Sequence, residues 1–233
     1  MSEELYSSKK ESVCAMLAEV RENIKALALQ DVRICAATKT VPTEIINYAH
    51  RECGLLCIGE NRVNELLQKY SELDRDIELH FIGRLQTNKV KYIVDKVSMI
   101  QSLDSVRLAL EIEKQCAKRN IVMDVLVEVN VGGEENKGGV SPAELYSLAD
   151  EIASLEHLSL KGLMIMIPKC SSSEEVTEYF TQSYELFIDF CKNKMHNIEG
   201  SILSMGMSGD YKEALLCGAN MIRPGRAIFG ERI

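Results

Sequence analysis

The sequence has no apolar run approaching the roughly 20 residues that cross a bilayer as a helix. Its start, Met1-Ser-Glu-Glu-Leu-Tyr6, is acidic and lacks the apolar segment of a secretory signal. Nor is there a basic stripe. The net charge is −8, the 27 lysines and arginines are scattered, and Lys9-Lys10 and Lys89/Lys91 are the nearest to clusters. Nucleic acid or an anionic membrane surface would need such a stripe, so neither is an expected partner. The eight cysteines show no repeating spacing, and Cys53 and Cys57 lack a second pair and a neighbouring histidine. No zinc site is read from them. Free, mostly buried thiols are expected, which implies a reducing, cytoplasmic setting. No linker, low-complexity tract or charge block divides the chain, so residues 1–233 are expected to form one domain.

What is present is a regular alternation. The hydrophobic fraction of 46% suffices for a full core. Val13, Met16, Leu17, Val20, Ile24 and Leu27 recur at helical spacing and predict an amphipathic helix within residues 1–30. From residue 31, short apolar strands alternate with helices: Val32–Thr38, Leu55–Ile58, Leu79–Ile82, Ser98–Ser102, Val122–Val129, Leu160–Ile165, Ile202–Met205 and Asn220–Arg223. The strands are near-continuously apolar, as strands covered on both faces should be. Thr87–Val94 is expected to be helical, and Ser141/Glu144 and Ser172/Glu175 read as capping boxes. The pattern predicts an α/β fold, a (β/α)8 TIM-type barrel over residues 31–233 preceded by an extra helix. An open doubly wound sheet fits less well, because no Gly-x-Gly-x-x-Gly turn follows the first strand.

The candidate chemistry gathers at strand ends. Lys39 closes the first strand; as a bare residue it reads equally as a lysine reaching solvent. Ser208-Gly209-Asp210 follows the seventh strand and Gly225-Arg226 the eighth. Barrels place phosphate at these two junctions, through free N–H groups at a helix start and a tight turn. Ser208 could instead be a turn residue ahead of a cap at Asp210, and Arg223 could be an ordinary ion-pair partner. Asn61 suits an N-cap or a ligand, and His80 reads as a core histidine. A phosphate cradle with an amine suits a cofactor bearing both a phosphate and an aldehyde, and the combination points to pyridoxal 5'-phosphate.

Longer stretches carry a family resemblance. Ala37-Thr-Lys-Thr40, Gly59-Glu-Asn61, His80-Phe-Ile-Gly83, Leu85-Gln-Thr-Asn-Lys89, Gln101-Ser-Leu-Asp104, Glu128-Val-Asn130, Lys137-Gly-Gly139, Gly162-Leu-Met164, Ser204-Met-Gly-Met-Ser208 and Arg223–Gly230 together resemble the pyridoxal-phosphate homeostasis proteins. These in turn resemble the N-terminal barrel of alanine racemase. The resemblance implies that Lys39 holds the cofactor as a Schiff base. It further implies that Ser208 with the Gly225–Arg226 backbone holds the phosphate, that Arg223 faces the ring nitrogen, and that Asn61 lies near the ring. Two positions depart from the pattern: Arg62 stands where an aromatic is usual, and Pro224 where isoleucine is frequent. The implied function is non-catalytic cofactor homeostasis by a monomer, with pyridoxal-phosphate-dependent apoenzymes as acceptors. The alternatives are a weak amino-acid racemase or a Schiff-base barrel lyase. The chain ends just after the barrel pattern, without the β-rich second domain of racemases, and no second base is expected opposite Lys39.

Overall fold

The computed structural model describes residues 3–134, 138–192 and 198–231. Eight parallel strands close into a barrel in chain order: β1 (Arg33–Ala37), β2 (Cys57–Glu60), β3 (Glu78–Phe81), β4 (Met99–Leu103), β5 (Met123–Asn130), β6 (Leu158–Met166), β7 (Ile198–Ser204) and β8 (Met221–Ile222). The helices are α1 (Glu3–Leu27), α2 (Thr43–Cys53), α3 (Val63–Lys69), α4 (Val106–Ala117), α5 (Leu145–Ala153), α6 (Ser173–Lys192), α7 (Tyr211–Leu216) and α8 (Arg226–Phe229). The expected barrel and leading helix are therefore present. Between β3 and β4 the expected helix is a 3₁₀ segment, Thr87–Tyr92.

The local signals act as their chemistry dictates, with small shifts. The Ser172 hydroxyl accepts from Glu175 N–H, but the Glu175 carboxylate reaches back to Ser171 rather than Ser172. The Glu144 carboxylate accepts from both the backbone and the hydroxyl of Ser141, yet α5 begins at Leu145, so this box closes a turn ahead of the helix. Asn61 is not a cap: Arg62 precedes α3 in extended conformation.

Barrel closure rests on a short seam. Arg33 and Ile34 of β1 pair with Met221 and Ile222 of β8, and Ala37 N–H donates to Pro224 O at 2.9 Å just beyond them. Helix α1 buttresses this seam from outside. Its fully buried Val13, Leu17 and Val20 form the predicted stripe, and it packs on α2, α7 and α8, the helices that follow β1, β7 and β8. Arg21 fixes it by donating to the carbonyls of Cys53 and Gly54, each at 2.7 Å.

The cysteine expectation needs correction here. Cys14 of α1 and Cys53 at the end of α2 form a disulfide, with Cα atoms 5.3 Å apart, and Cys191 is exposed. A separation of 39 residues carried no signal of the pairing. Docking α1 beside α2 creates it. The inference of a reducing compartment loses that support.

A cross-link closing a loop of this length stabilises by about 3–4 kcal/mol, mainly by restricting the unfolded chain. Urea unfolding with and without a dithiol reductant should show a loss of this size, and Cys14→Ser should show the same loss without reductant. Unchanged midpoints would mean the pair is not bonded in solution.

Candidate functional site

The C-terminal rim of the barrel opens into a cavity of about 380 Å³ on the β8–β1 side. Lys39, Asn61, Ser208, Arg223, Gly225 and Arg226 all line it, so the fold unites every residue singled out from the sequence. A volume of this order suits a small cofactor, since ligand sites run from about 300 to 1,000 Å³. Ala37, Ile82, Met166 and Phe229 supply apolar wall, and Lys9 reaches it from α1.

Lys39 is half-buried and has no hydrogen-bond or ion-pair partner among the described residues. Its backbone setting is fixed by a charged cluster beneath. The Lys69 ammonium donates to Thr38 O, Glu60 Oε1 and Glu65 Oε1 at 2.7–2.8 Å. Glu60 also accepts from the Thr38 hydroxyl, and Glu65 from Thr40 N–H. Thr40 sits at φ 65, unfavourable for a β-branched residue, and the Glu65 bond holds it there. Glu60 is fully buried, and burial pushes its carboxyl above the usual range despite the Lys69 charge.

On the facing side, the Ser208 hydroxyl accepts from the N–H groups of Gly225 (2.9 Å) and Ala227 (3.1 Å). The expected backbone pair was Gly225 and Arg226; the groups that converge on Ser208 are one residue apart from that reading. Gly225 is closely packed, because a Cβ there would lie 3.0 Å from Ala37 O. Asp210, which threatened to repel an anion, turns its carboxylate back onto Met207 N–H at 2.5 Å. It is not a side-chain cap of α7. The β7–α7 loop is shaped by Gly206, at φ 90, where a Cβ would strike Ala214 and Tyr211; its carbonyl accepts from Arg223 N–H.

Arg223 is buried at the cavity floor and held by three acceptors: Ser204 Oγ at 2.7 Å, Ile165 O at 3.0 Å and Met166 Sδ at 3.6 Å. From it a chain of hydrogen bonds descends through the barrel. The Ser204 hydroxyl donates to Gln101 Oε1 (2.7 Å), Gln101 Nε2 faces His80 Nδ1 (2.8 Å), and His80 Nε2 faces Glu78 Oε1 (2.8 Å). Arg33 completes the chain by pairing with Glu78. His80 is thus a core histidine, as read, with its polar atoms satisfied inside the barrel. Sequence reasoning missed Lys9, Lys69, Ser204 and Gln101 as contributors. The Glu65/Lys69 spacing was visible as a helical i,i+4 pair, but its reach to Thr38 and Thr40 depends on the β1–β2 neighbourhood.

Known proteins place this arrangement in a class and then a family. Residues 16–233 match the family described as alanine racemase, N-terminal domain. An alanine racemase from Clostridium difficile 630, in complex with cycloserine, superposes with a TM-score of 0.72 at 18% identity, over 95% of this chain and 60% of that one. That likeness concerns the fold. A pyridoxal phosphate homeostasis protein of Aquifex aeolicus is 45% identical over 228 residues, covering 95% of this chain and 99% of that protein. PipY of Synechococcus elongatus PCC7942, solved with PLP bound, has a TM-score of 0.83 at 27% identity, over 94% of this chain and 100% of that one. The chain belongs to the pyridoxal phosphate homeostasis protein family.

One further carboxyl bears on the site. Glu128 of β5 lies across the barrel from β1. Burial, helped by Asp104 and opposed by Arg223, pushes it up to about 7. A carboxyl raised in the folded state favours folding at low pH, and that advantage is lost as pH climbs from the unfolded value through about 7. Glu128→Gln should therefore match the parent near pH 4.5 and exceed its stability at pH 8, by up to about 3 kcal/mol. A pH-independent difference in urea midpoints would refute the burial argument.

Proposed function

We propose that this chain holds pyridoxal 5'-phosphate in the cavity at the β8–β1 seam and serves in its intracellular homeostasis without turning over substrates. The observation that carries the reading is the pairing, across one cavity, of the unpartnered Lys39 amine with the Ser208, Gly225 and Ala227 cluster. It is supported by the names of the relatives and by the PLP-bound PipY structure. When bound, this cofactor supplies an aldehyde that reacts with amines and a pyridine ring that can draw electrons.

Each residue has a defined task. Lys39 provides the amine for covalent attachment. Ser208, with the N–H groups of the Gly225–Ala227 turn and a contribution from the Arg226 backbone, takes the phosphate. Asn61 borders the ring. Arg223, fixed at the floor by Ser204 and Ile165, would offer a cation to the ring of a bound cofactor and disfavour protonation of its nitrogen, which would weaken the ring as an electron sink. Lys9 adds a positive charge to the wall.

The non-catalytic part rests on the wall carboxylates, both of which are engaged among the described residues: Asp210 with Met207 N–H, and Glu231 with Arg226 at 3.5 Å; the wall's other amine is Lys9. Racemisation needs a proton donor on each side of the substrate carbon. In this reading the protein is a monomeric cytoplasmic carrier whose acceptors are pyridoxal-phosphate-dependent apoenzymes.

Borohydride treatment of cofactor-loaded protein should fix a pyridoxyl group on Lys39, identified by peptide mass, and Lys39→Ala should abolish it while leaving the fold intact. Attachment at Lys89 or at Lys137, which lies outside the described residues, would overturn the assignment. No racemisation of L-alanine should be detectable; turnover on the order of 1 s⁻¹, ordinary for enzymes, would replace the carrier by a racemase.

Ser208→Ala should weaken cofactor binding by about 1.5–3 kcal/mol, the range for a hydrogen bond to a charged group. Unphosphorylated pyridoxal should bind more weakly from the outset and be insensitive to that substitution. Equal affinity for the two compounds would show that the late loops do not recognise phosphate.

A further inference from the structure

Below the cavity floor, the first three strands bring together side chains that the proposed cofactor site does not use. Cys35 of β1, Cys57 of β2 and His80 of β3 are all buried, and one ligand-capable atom from each lies within 4.8 Å of the others. Cys35 and Cys57 are direct partners in the strand register. Gly59 packs tightly against them: a Cβ there would come 2.7 Å from Ile82 Cδ1 and 3.0 Å from Cys35 Sγ. We propose that Cys35, Cys57 and His80 form a buried site for a single thiophilic metal ion of the zinc type.

The surrounding groups suit such an ion. His80 Nε2 is held by Glu78 Oε1 at 2.8 Å, the carboxylate support that orients metal-bound imidazoles, which leaves Nδ1 as the ligand. Gln101 Nε2 lies 2.8 Å from His80 Nδ1, 3.6 Å from Cys35 Sγ and 3.2 Å from Met221 Sδ. A half-turn of that amide would turn Oε1 toward His80 and Cys35 and direct Nε2 at Ser204. The amide oxygen then completes a tetrahedral set, with sulfur ligands at about 2.3 Å and nitrogen at about 2.0–2.1 Å after small inward shifts.

Charge balance favours the exchange. Zn²⁺ replaces one proton from each thiol, two protons leave to solvent, and the two thiolates neutralise the ion, so the apolar interior gains no net charge. With every ligand buried, the ion enters as the barrel closes, and metal binding is coupled to folding.

The test is refolding of the full-length protein from denaturant with cobalt(II), followed by gel filtration. One equivalent should remain bound, with thiolate-to-cobalt charge-transfer absorption that zinc abolishes. The Cys35→Ala/Cys57→Ala double variant should lose both signals, whereas Cys191→Ser should keep them. Glu78→Gln should weaken binding about 10–100-fold, as loss of a supporting carboxylate does. Lys39→Ala should retain the metal, which separates this site from the cofactor. Wild-type protein that refolds without cobalt, or a double variant that binds it equally, would overturn the proposal. Should the double variant fail to fold, X-ray absorption of zinc-loaded wild type decides. Two sulfurs with nitrogen and oxygen are expected, and a shell without two sulfurs refutes the site.

Discussion

The β8–β1 seam is the constraint on which the candidate site depends. Two strand-paired residues on each side, Arg33–Met221 and Ile34–Ile222, with the Ala37–Pro224 hydrogen bond beyond them, close the barrel. Closure brings Lys39, early in the chain, beside Arg223 and Gly225, near its end. No local preference could do this. Gly225 is tolerated there because its missing side chain lets the backbone lie against Ala37, and Pro224 both stiffens the turn and supplies the accepting carbonyl. Helix α1 lies over this seam from outside, so the element that breaks the βα alternation braces one of its short strand pairings.

The second constraint is electrostatic. A guanidinium buried at the axis of an apolar barrel costs several kcal/mol unless its donors are matched. The chain from Arg223 through Ser204, Gln101 and His80 to Glu78 answers that need together with the Ile165 carbonyl, ending on a carboxylate paired with Arg33. The charges at its ends are opposite, Arg223 above and Glu78 below. Removing a middle member would orphan a buried neighbour on either side, which is the expensive way to lose a hydrogen bond.

This explains what could be read from the sequence and what could not. Barrel closure and the rim positions were legible because period, strand length and the two late junctions are local patterns. The strands looked near-continuously apolar, yet Gln101, His80 and Ser204 lie inside them; a few polar residues among apolar ones do not disturb a hydrophobic run. Their meaning appears when β3, β4 and β7 converge. The cysteines show the same limit: Cys53 and Cys57, read together as a poor zinc motif, part company. Cys53 bonds Cys14 on the outside, and Cys57 turns inward beside Cys35 and His80. Lys9 had no signal, because α1 lies outside the repeat that made the rim predictable.

The hydrogen bonds at the rim bear on how an anion would bind there. The N–H groups of Gly225 and Ala227, suited to a phosphate, are already satisfied by the Ser208 hydroxyl. Arg223 likewise finds acceptors within the protein, in Ser204, Ile165 and Met166. Binding an anion at the rim therefore exchanges hydrogen bonds, and releasing it strands no donor in a buried position.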